Sequence, residues 1–346
     1  MNVLLDKFLY GRPSYRLVRD LADHGVGLSM GTLTGGLRAI APLFAPLNAA
    51  LLQRLRGEEH WHVDETRWEV FVELEGKSGH RCYLWVFQCA GVSYYVLDES
   101  RSAAVPEAVL AGVKRGHISC DRHGAYKKFA RLHPRMRLSF CWAHQRRDLL
   151  NLANDYPELA PWALQWVHCI AELFVVHAQR HERWAGGLEH GELDRRLRAR
   201  VQQMAEQRDA ALGDPTLPAP AAKVLNSMRQ HWAGLTAFLK QPALPLDNNA
   251  AERALRPAVV GRKNFYGSGS QWSGQLAATM FSVFMTMRLW QINPRTWLSA
   301  YLHACAEHGN QPPPQLSEFL PWSMDAMRLA AMRAPSLGHP RHFDTS

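Results

Sequence analysis

Arg81-Cys-Tyr-Leu-Trp-Val-Phe-Gln-Cys-Ala-Gly-Val-Ser-Tyr-Tyr-Val-Leu97 commits this chain to a sheet. Aromatic and β-branched residues crowd its two arms, Arg81 to Cys89 and Ser93 to Leu97, and Ala90-Gly91 breaks them apart. Residues of this kind pack well on a pleated, half-buried surface, so each arm reads as a strand. Trp68 to Leu74 has the same character and is set off by Gly76 to Gly79, which makes three consecutive strands in a meander. Further on, Ser102 to Leu110 reads as a helix, Gly116 to Asp121 as a fourth strand and Tyr126 to Leu132 as a short helix. Arg137 to Cys141 is then a fifth strand, with Ala143 to Asn154 a helix behind it. A meander passing into alternating strands and helices predicts a mixed α/β layer.

Both flanks have helical periodicity. Ser14 to His24 carries Leu17, Val18, Leu21 and Ala22 at helical spacing; Gly25-Val26-Gly27 then turns the chain, and Ser29 caps a second helix through Leu37. Two short helices about a glycine turn have the form of a helix-turn-helix that reads DNA, but such pairs are common and a hairpin that only packs is the plainer reading. Ala41 to Arg56 is a third helix, so residues 1–58 form one helical segment. Residues 157–245 are helical again and rich in charge, broken at Gly186-Gly187 and from Gly213 to Pro220, with no strand-like run. They read as an insertion that divides the core into 59–156 and 246–310. The tail, 311–346, is proline-rich and ends in a basic stretch that reads as mobile.

The 346 residues suit one large domain or two to three smaller ones, and a hydrophobic content of 47% supplies a sizeable core. The formal net charge of +9 favours an anionic partner, most simply nucleic acid. No run of about 18 apolar residues occurs. The most apolar helix, Ala277 to Trp290, is interrupted by Thr279, Ser282, Thr286 and Arg288, and no membrane partner is expected. The N-terminus lacks the apolar core of a signal peptide. Six cysteines without a Cys-x-x-Cys pair fit reduced thiols in a cytosol. A cytoplasmic location is therefore expected, on the nucleoid when DNA is bound.

Three acidic residues sit in distant settings: Asp64 in His62-Val-Asp-Glu-Thr66, Asp121 behind Ile118-Ser-Cys120, and Glu252 in Asp247-Asn-Asn-Ala-Ala-Glu252. Asp64 lies at or near the start of the first strand, among Trp61, Val63, Trp68 and Val70, where a charge is costly to bury without a partner or a metal. Glu65 competes for its role; neighbours on a strand face opposite ways, so only one of them serves a given site. Asp121 ends a strand, the position where ligands bind in α/β sheets. The plainer readings are a strand-entry residue for Asp64 and a turn cap for Asp121. Asn249-Ala-Ala-Glu252 is a capping-box pattern that explains Glu252 without chemistry. Yet Arg253 to Ala306 contains no Asp or Glu, while Arg253, Arg256, Arg262, Lys263, Arg288 and Arg295 are present. A one-sign stretch behind a carboxylate suits a phosphate backbone approaching a metal site. Arg146 and Arg147 add two further cations.

Cys141-x-x-His144 and Cys120-x-x-His123 together have the spacing of four zinc ligands. Against that reading, Cys120 and Asp121 would point opposite ways along one strand, which would then serve two sites. A single Cys-x-x-His in a core is more often packing and hydrogen bonding, which is the plainer reading of Cys141 and His144. Gly267-Ser-Gly-Ser270 reads as a flexible turn before an apolar helix and lacks the Lys of a phosphate-binding loop.

Taken together, these stretches resemble the transposases of bacterial insertion sequences of the IS66 type. The most specific is Asp247-Asn-Asn-Ala-Ala-Glu-Arg-Ala-Leu-Arg-Pro257, continuing through Gly261-Arg-Lys-Asn264 to Gly267-Ser268. Asp64-Glu-Thr66, Asp121-Arg-His-Gly-Ala-Tyr-Lys-Lys-Phe129, Cys141-Trp-Ala-His-Gln-Arg-Arg147, Pro13-Ser-Tyr-Arg16 to Leu28-Ser29 with Thr32-Leu33, and Phe319-Leu-Pro-Trp322 are also similar. The resemblance implies an RNase H-like mixed five-stranded sheet with flanking helices, interrupted by an all-helical insertion before the Glu, and a DDE triad on Asp64, Asp121 and Glu252. Members of the family usually carry an additional N-terminal zinc-binding region, and this chain begins downstream of where that region would lie.

The implied activity is metal-dependent cleavage of double-stranded DNA at element ends, followed by strand transfer into target DNA. The triad would hold two Mg²⁺ ions, with Mn²⁺ as a substitute. Arg253, Arg256, Arg262, Lys263, Arg146 and Arg147 would contact phosphates. A homo-oligomer on DNA and accessory proteins encoded by the element are further expected partners. Two other readings stand beside this one. The first is a catalytically inactive or truncated DNA-binding relative; the second is a zinc-stabilised nucleic-acid-binding protein using Cys141 and His144.

Overall fold

The structure, a computed structural model, describes residues 1–72 and 81–333. The turn expected at Gly76 to Gly79, the end of the first expected strand and the basic end of the tail lie outside these residues. The chain opens with α1 (Asn2–Leu4), which continues as a wider helical stretch, then α2 (Ser14–Asp23), α3 (Met30–Ile40) and α4 (Ala45–Arg56). Gly25, at φ +79°, turns the chain between α2 and α3, and Ser29 Oγ accepts from Thr32 N at 3.0 Å to cap α3. β1 (His60–Val70), β2 (Arg81–Gln88) and β3 (Ser93–Asp98) precede α5 (Ala104–Val109), β4 (Gly116–Cys120), α6 (Gly124–Leu132), β5 (Met136–Phe140) and α7 (Trp142–Asp155). From Pro157 to Leu239 the elements are helical and include α8 (Ala160–Ala185), α9 (Gly191–Gly213), α10 (Ala219–Gln230) and α11 (Trp232–Leu235). α12 (Asn249–Phe265), β6 (Gly267–Ser268), α13 (Gln271–Leu289), α14 (Pro294–Glu307) and α15 (Ala326–Met332) follow among the described residues.

The sheet has the order β3-β2-β1-β4-β5, with β6 beside β1. β2 and β3 are antiparallel, whereas β1, β4 and β5 run parallel and β6 runs parallel to β1. This is the mixed α/β sheet with helical parts of an RNase H-like core.

Two features differ from the sequence reading. β1 begins at His60, so Asp64 lies inside the strand rather than at its start. The stretch alternates polar and apolar, which is what strand formation requires, but its polar members are His, Asp and Glu, and a search for aromatic and β-branched runs passes over it. Gly267 to Ser270 is also no free turn. Gly267 and Ser268 pair with Glu69 and Val70, and Ser270 forms a capping box with Ser273 at the head of α13. A Cβ on Gly267 would stand 2.1 Å from the Glu69 carbonyl oxygen, so only glycine allows this approach.

The chain divides into two compact units. The first comprises Met1–Glu58, Asp64–Arg101 and the chain from Ala251; the second comprises Glu59–Val63 and Ser102–Ala250. In the first, α13 is buried over most of its length and packs on β3. Ser282 Oγ accepts from Tyr95 N at 2.8 Å, Thr286 Oγ1 accepts from Ser93 N at 3.1 Å, and Gln275 Nε2 donates to Leu97 O at 3.2 Å. The polar residues that interrupt this apolar helix thus satisfy the edge of β3, which would otherwise present a row of unmatched backbone groups. The tail is docked as far as Arg333: Phe319 is buried against Trp297 and Tyr301, and Asn293 N donates to Met332 O at 2.8 Å.

In the second unit, α7, α8 and α9 pack in succession, and α11 lies on β5, where Gly234 leaves no space for a Cβ against the Phe140 ring. The runs Met30–Arg56 and Pro157–Ala185 have the length and composition to cross a bilayer. Each buries an apolar stripe within its own unit: Leu37, Phe44, Leu47, Leu51 and Leu55 in the first, and Ala163, Trp166, Ile170, Leu173 and Val176 in the second.

Candidate active site

Alternation along β1 sorts the acids. Trp61, Val63 and Glu65 are buried on one face, while His60, His62, Asp64 and Thr66 are half-buried on the other. Glu65 is occupied: its carboxylate receives Arg101 Nε at 2.6 Å and its side chain is only 1% exposed. Of the two competing acids, Asp64 is therefore the one on the histidine face. Asp64 Oδ1 accepts from Glu65 N at 2.9 Å, which fixes the carboxylate against its own strand.

The histidine face belongs largely to the second unit. His60 Nε2 and Ser119 Oγ are 2.8 Å apart, and the His60 and His62 rings lie 4.7 Å centroid to centroid. Burial, helped by the neighbouring His62 and His117, pushes the His60 pKa down to about 3, so the ring is neutral. Asn248 is 1% exposed and holds three groups at once. Its Nδ2 donates to Val63 O at 2.9 Å, its Oδ1 lies 3.0 Å from His62 Nδ1, and its amide meets Cys141 Sγ at 3.3 Å. With Nδ2 donating, Oδ1 must accept, which makes His62 Nδ1 the donor. Asn248 was passed over in the sequence reading, because only long-range pairing reveals it.

Asp121 follows β4 directly. Its Oδ1 accepts from His123 N at 2.8 Å, so the turn-capping role holds, and Oδ2 has no partner among the described residues. Arg122 secures the turn: it donates to Gln145 Oε1 at 3.0 Å, Ser227 Oγ at 2.9 Å and Asp148 Oδ2 at 2.5 Å. It thereby ties the end of β4 to α7 and to α10.

Asp247 opens α12. Its two carboxylate oxygens accept from the Asn249 backbone amide at 3.1 Å and from Asn249 Nδ2 at 2.8 Å. Because the Asn248 amide meets Cys141, the helix starts beside that thiol, and Glu252, half-buried, follows within its first turn. Tyr95 Oη donates to Ala254 O at 2.5 Å, and Arg262 donates to Thr66 Oγ1 at 2.9 Å and to the Arg67 carbonyl. Arg262, expected on phosphates, is thus engaged with β1. Arg253, Arg256, Lys263, Arg146 and Arg147 are exposed and have no ion partner among the described residues.

Cys120, His123, Cys141 and His144 do not gather as one ligand set among the described residues. Cys120 is fully buried in β4, whereas the His123 ring caps Ala125 N at 3.4 Å. Burial raises the Cys141 pKa, which keeps that thiol protonated. The sequence reading also missed Tyr266. It ends α12 with φ +64° and a ring 71% exposed, a left-handed backbone that non-glycine residues rarely adopt.

Residues 1–276 match the family model described as Transposase IS66 family. The chain is 28% identical to the uncharacterized protein y4jD of Sinorhizobium fredii (strain NBRC 101917 / NGR234), over 94% of its own length and 65% of that protein's. It is 27% identical to y4hP and 24% identical to y4qI of the same strain, in each case over 93% of its length and 61% of theirs. It therefore spans less than two thirds of the length of these curated relatives. With the family model covering most of its residues, the chain belongs to the IS66 family of transposases.

Proposed function

We propose that the chain is a DDE transposase that cleaves one strand of double-stranded DNA at element ends and joins the freed 3′-hydroxyl to target DNA, with Asp64, Asp121 and Glu252 as its catalytic acids. One observation carries this reading. β1 and β4 run parallel with His62 level with Ser119, and two residues further along these two segments stand Asp64 and Asp121. Glu252 lies in the first turn of α12, the helix whose start Asn248 ties to Val63 and Cys141.

Three carboxylates together would supply oxygen alone, a donor set that would suit a hard cation, Mg²⁺ or Mn²⁺ in its place, better than zinc. Bound by Asp64, Asp121 and Glu252, such an ion would polarise the phosphate and lower the pKa of an attacking water. The chain's own groups orient the acids. Glu65 N and His123 N each hold one oxygen, which leaves the Asp121 Oδ2 lone pairs for a ligand. Arg253, Arg256, Lys263, Arg146 and Arg147 would take phosphates, whereas Arg262 steadies α12 on β1. A homo-oligomer on DNA, accessory element-encoded proteins and a nucleoid location belong to the same reading.

Asp64→Ala, Asp121→Ala and Glu252→Gln should each lower Mg²⁺-dependent cleavage of pre-nicked element ends by at least about 10³-fold. DNA affinity should stay within about threefold. Cleavage retained in any one variant removes that residue from the triad, and no cleavage by the unaltered chain favours an inactive DNA-binding relative.

A further inference from the structure

A cavity of about 390 Å³ lies wholly within the first unit, and none of the three acids lines it. Its wall includes Lys7, Ser14, Trp68, Phe265 and Trp272 together with the glycine-serine loop from β6 into α13. It holds one cation and no carboxylate. Lys7 Nζ donates to Ser14 Oγ at 2.8 Å and sits 4.9 Å from the centre of the Phe265 ring. Among the described residues no carboxylate lies within 4.0 Å of it. An ammonium carries three donors, and Ser14 engages one of them.

Burying a cation beside a hydroxyl and an aromatic ring, with no counter-charge, is costly unless an anion joins it. Burial pushes the Lys7 pKa down to about 8, so the group still carries most of its charge at neutral pH. The remaining wall suits a flat apolar ring. Phe265 and Trp272 are half-buried, and the Arg38 guanidinium lies 5.9 Å from the Trp272 ring centre. The volume lies in the range of small-ligand sites, roughly 300–1,000 Å³. An anion next to aromatic surface describes a nucleoside phosphate, since bases stack on aromatic rings whatever their sequence.

We infer that this cavity is a nucleotide subsite, taking a phosphate on Lys7 and an unpaired base against Trp272. The inference rests on DNA being the chain's substrate. The nucleotide can come from a DNA strand or from solution, and the chemistry is shared.

The test uses the full chain and a duplex carrying one unpaired 2-aminopurine, read by its fluorescence and by anisotropy. The unaltered chain should quench the base severalfold. Lys7→Met should weaken binding about tenfold and flatten the slope of log affinity against log salt by about one. Trp272→Leu should restore the emission. Competition by millimolar dAMP would identify a free nucleotide as an occupant, and its failure beside strand binding would assign the site to DNA. No quenching by the unaltered chain overturns the inference, as does a folded Lys7→Met with unchanged affinity and salt slope. Should Lys7→Met fail to fold, undiminished quenching by Trp272→Leu overturns it instead. A chain that cleaves DNA without quenching sinks the subsite alone; one that quenches without cleaving sinks the DDE reading alone.

Discussion

At the scale of single residues, the local sequence names acids but does not sort them. Asp64 and Glu65 are adjacent carboxylates with the same neighbours, and what separates them is Arg101, which arrives from the far end of the meander to neutralise Glu65. That pairing is a tertiary fact with no local signature. Arg101→Met should therefore cost about 3 kcal/mol in urea unfolding, because it strands a buried carboxylate. Glu65→Gln should cost clearly less, since the guanidinium left behind is 42% exposed. Tyr266 is illegible for a related reason: nothing in Phe265-Tyr-Gly267 announces that the tyrosine, rather than the glycine, takes the left-handed backbone. Tyr266→Gly should raise stability by about 0.5 kcal/mol, the relief of roughly 1–2 kcal/mol of steric strain being partly offset by a floppier unfolded chain. DNA affinity should fall in the same variant if the strain serves to present the ring. A melting curve and a binding isotherm on one preparation check both.

Among the elements, β2, β3, β4 and β5 were legible to within about a residue because each is a short apolar run bounded by turns. The glycine turn and Ser29 cap of the N-terminal helices were legible because capping is local chemistry. β6 was not, since two residues of glycine and serine carry no period and form a strand only because β1 offers an edge. The docked part of the tail was hidden similarly: Phe319 is one aromatic among prolines until Trp297 and Tyr301 enclose it. In α13 the sequence shows hydroxyls interrupting an apolar helix without saying what they face. Since Ser282 and Thr286 accept from the backbone of β3, Ser282→Ala and Thr286→Val should each cost about 1–3 kcal/mol, the penalty for a buried donor left unmatched. The loss should appear in the denaturant midpoint. A cost near zero would mean that α13 moves to let water reach the edge.

For the molecule as a whole, the buried histidines set how stability responds to acid. His60 is held near 3, chiefly by burial. His177 is pushed down to about 4, first by burial and then by Arg180; its Nε2 donates to Leu244 O at 2.8 Å. An unfolded histidine protonates near 6.5, above both folded values, so the unfolded chain takes up these protons first. Stability from these two groups should be complete above about pH 6.5, fall as pH drops towards 4, and level off below the folded values. Between pH 6 and 5 the fall should approach roughly 2–3 kcal/mol per pH unit for two protons. Urea midpoints at pH 8, 6 and 5 measure it, and His177→Gln should halve the slope.

β1 and α12 each run through both compact units, and the chain passes between units at Val63-Asp64 and again at Ala250-Ala251, just before Glu252. Neither unit therefore holds Asp64, Asp121 and Glu252 together: the first carries Asp64 and Glu252, the second Asp121. On the proposed triad, melting of either unit should remove at least one acid, so strand cleavage should be lost before the remaining unit unfolds.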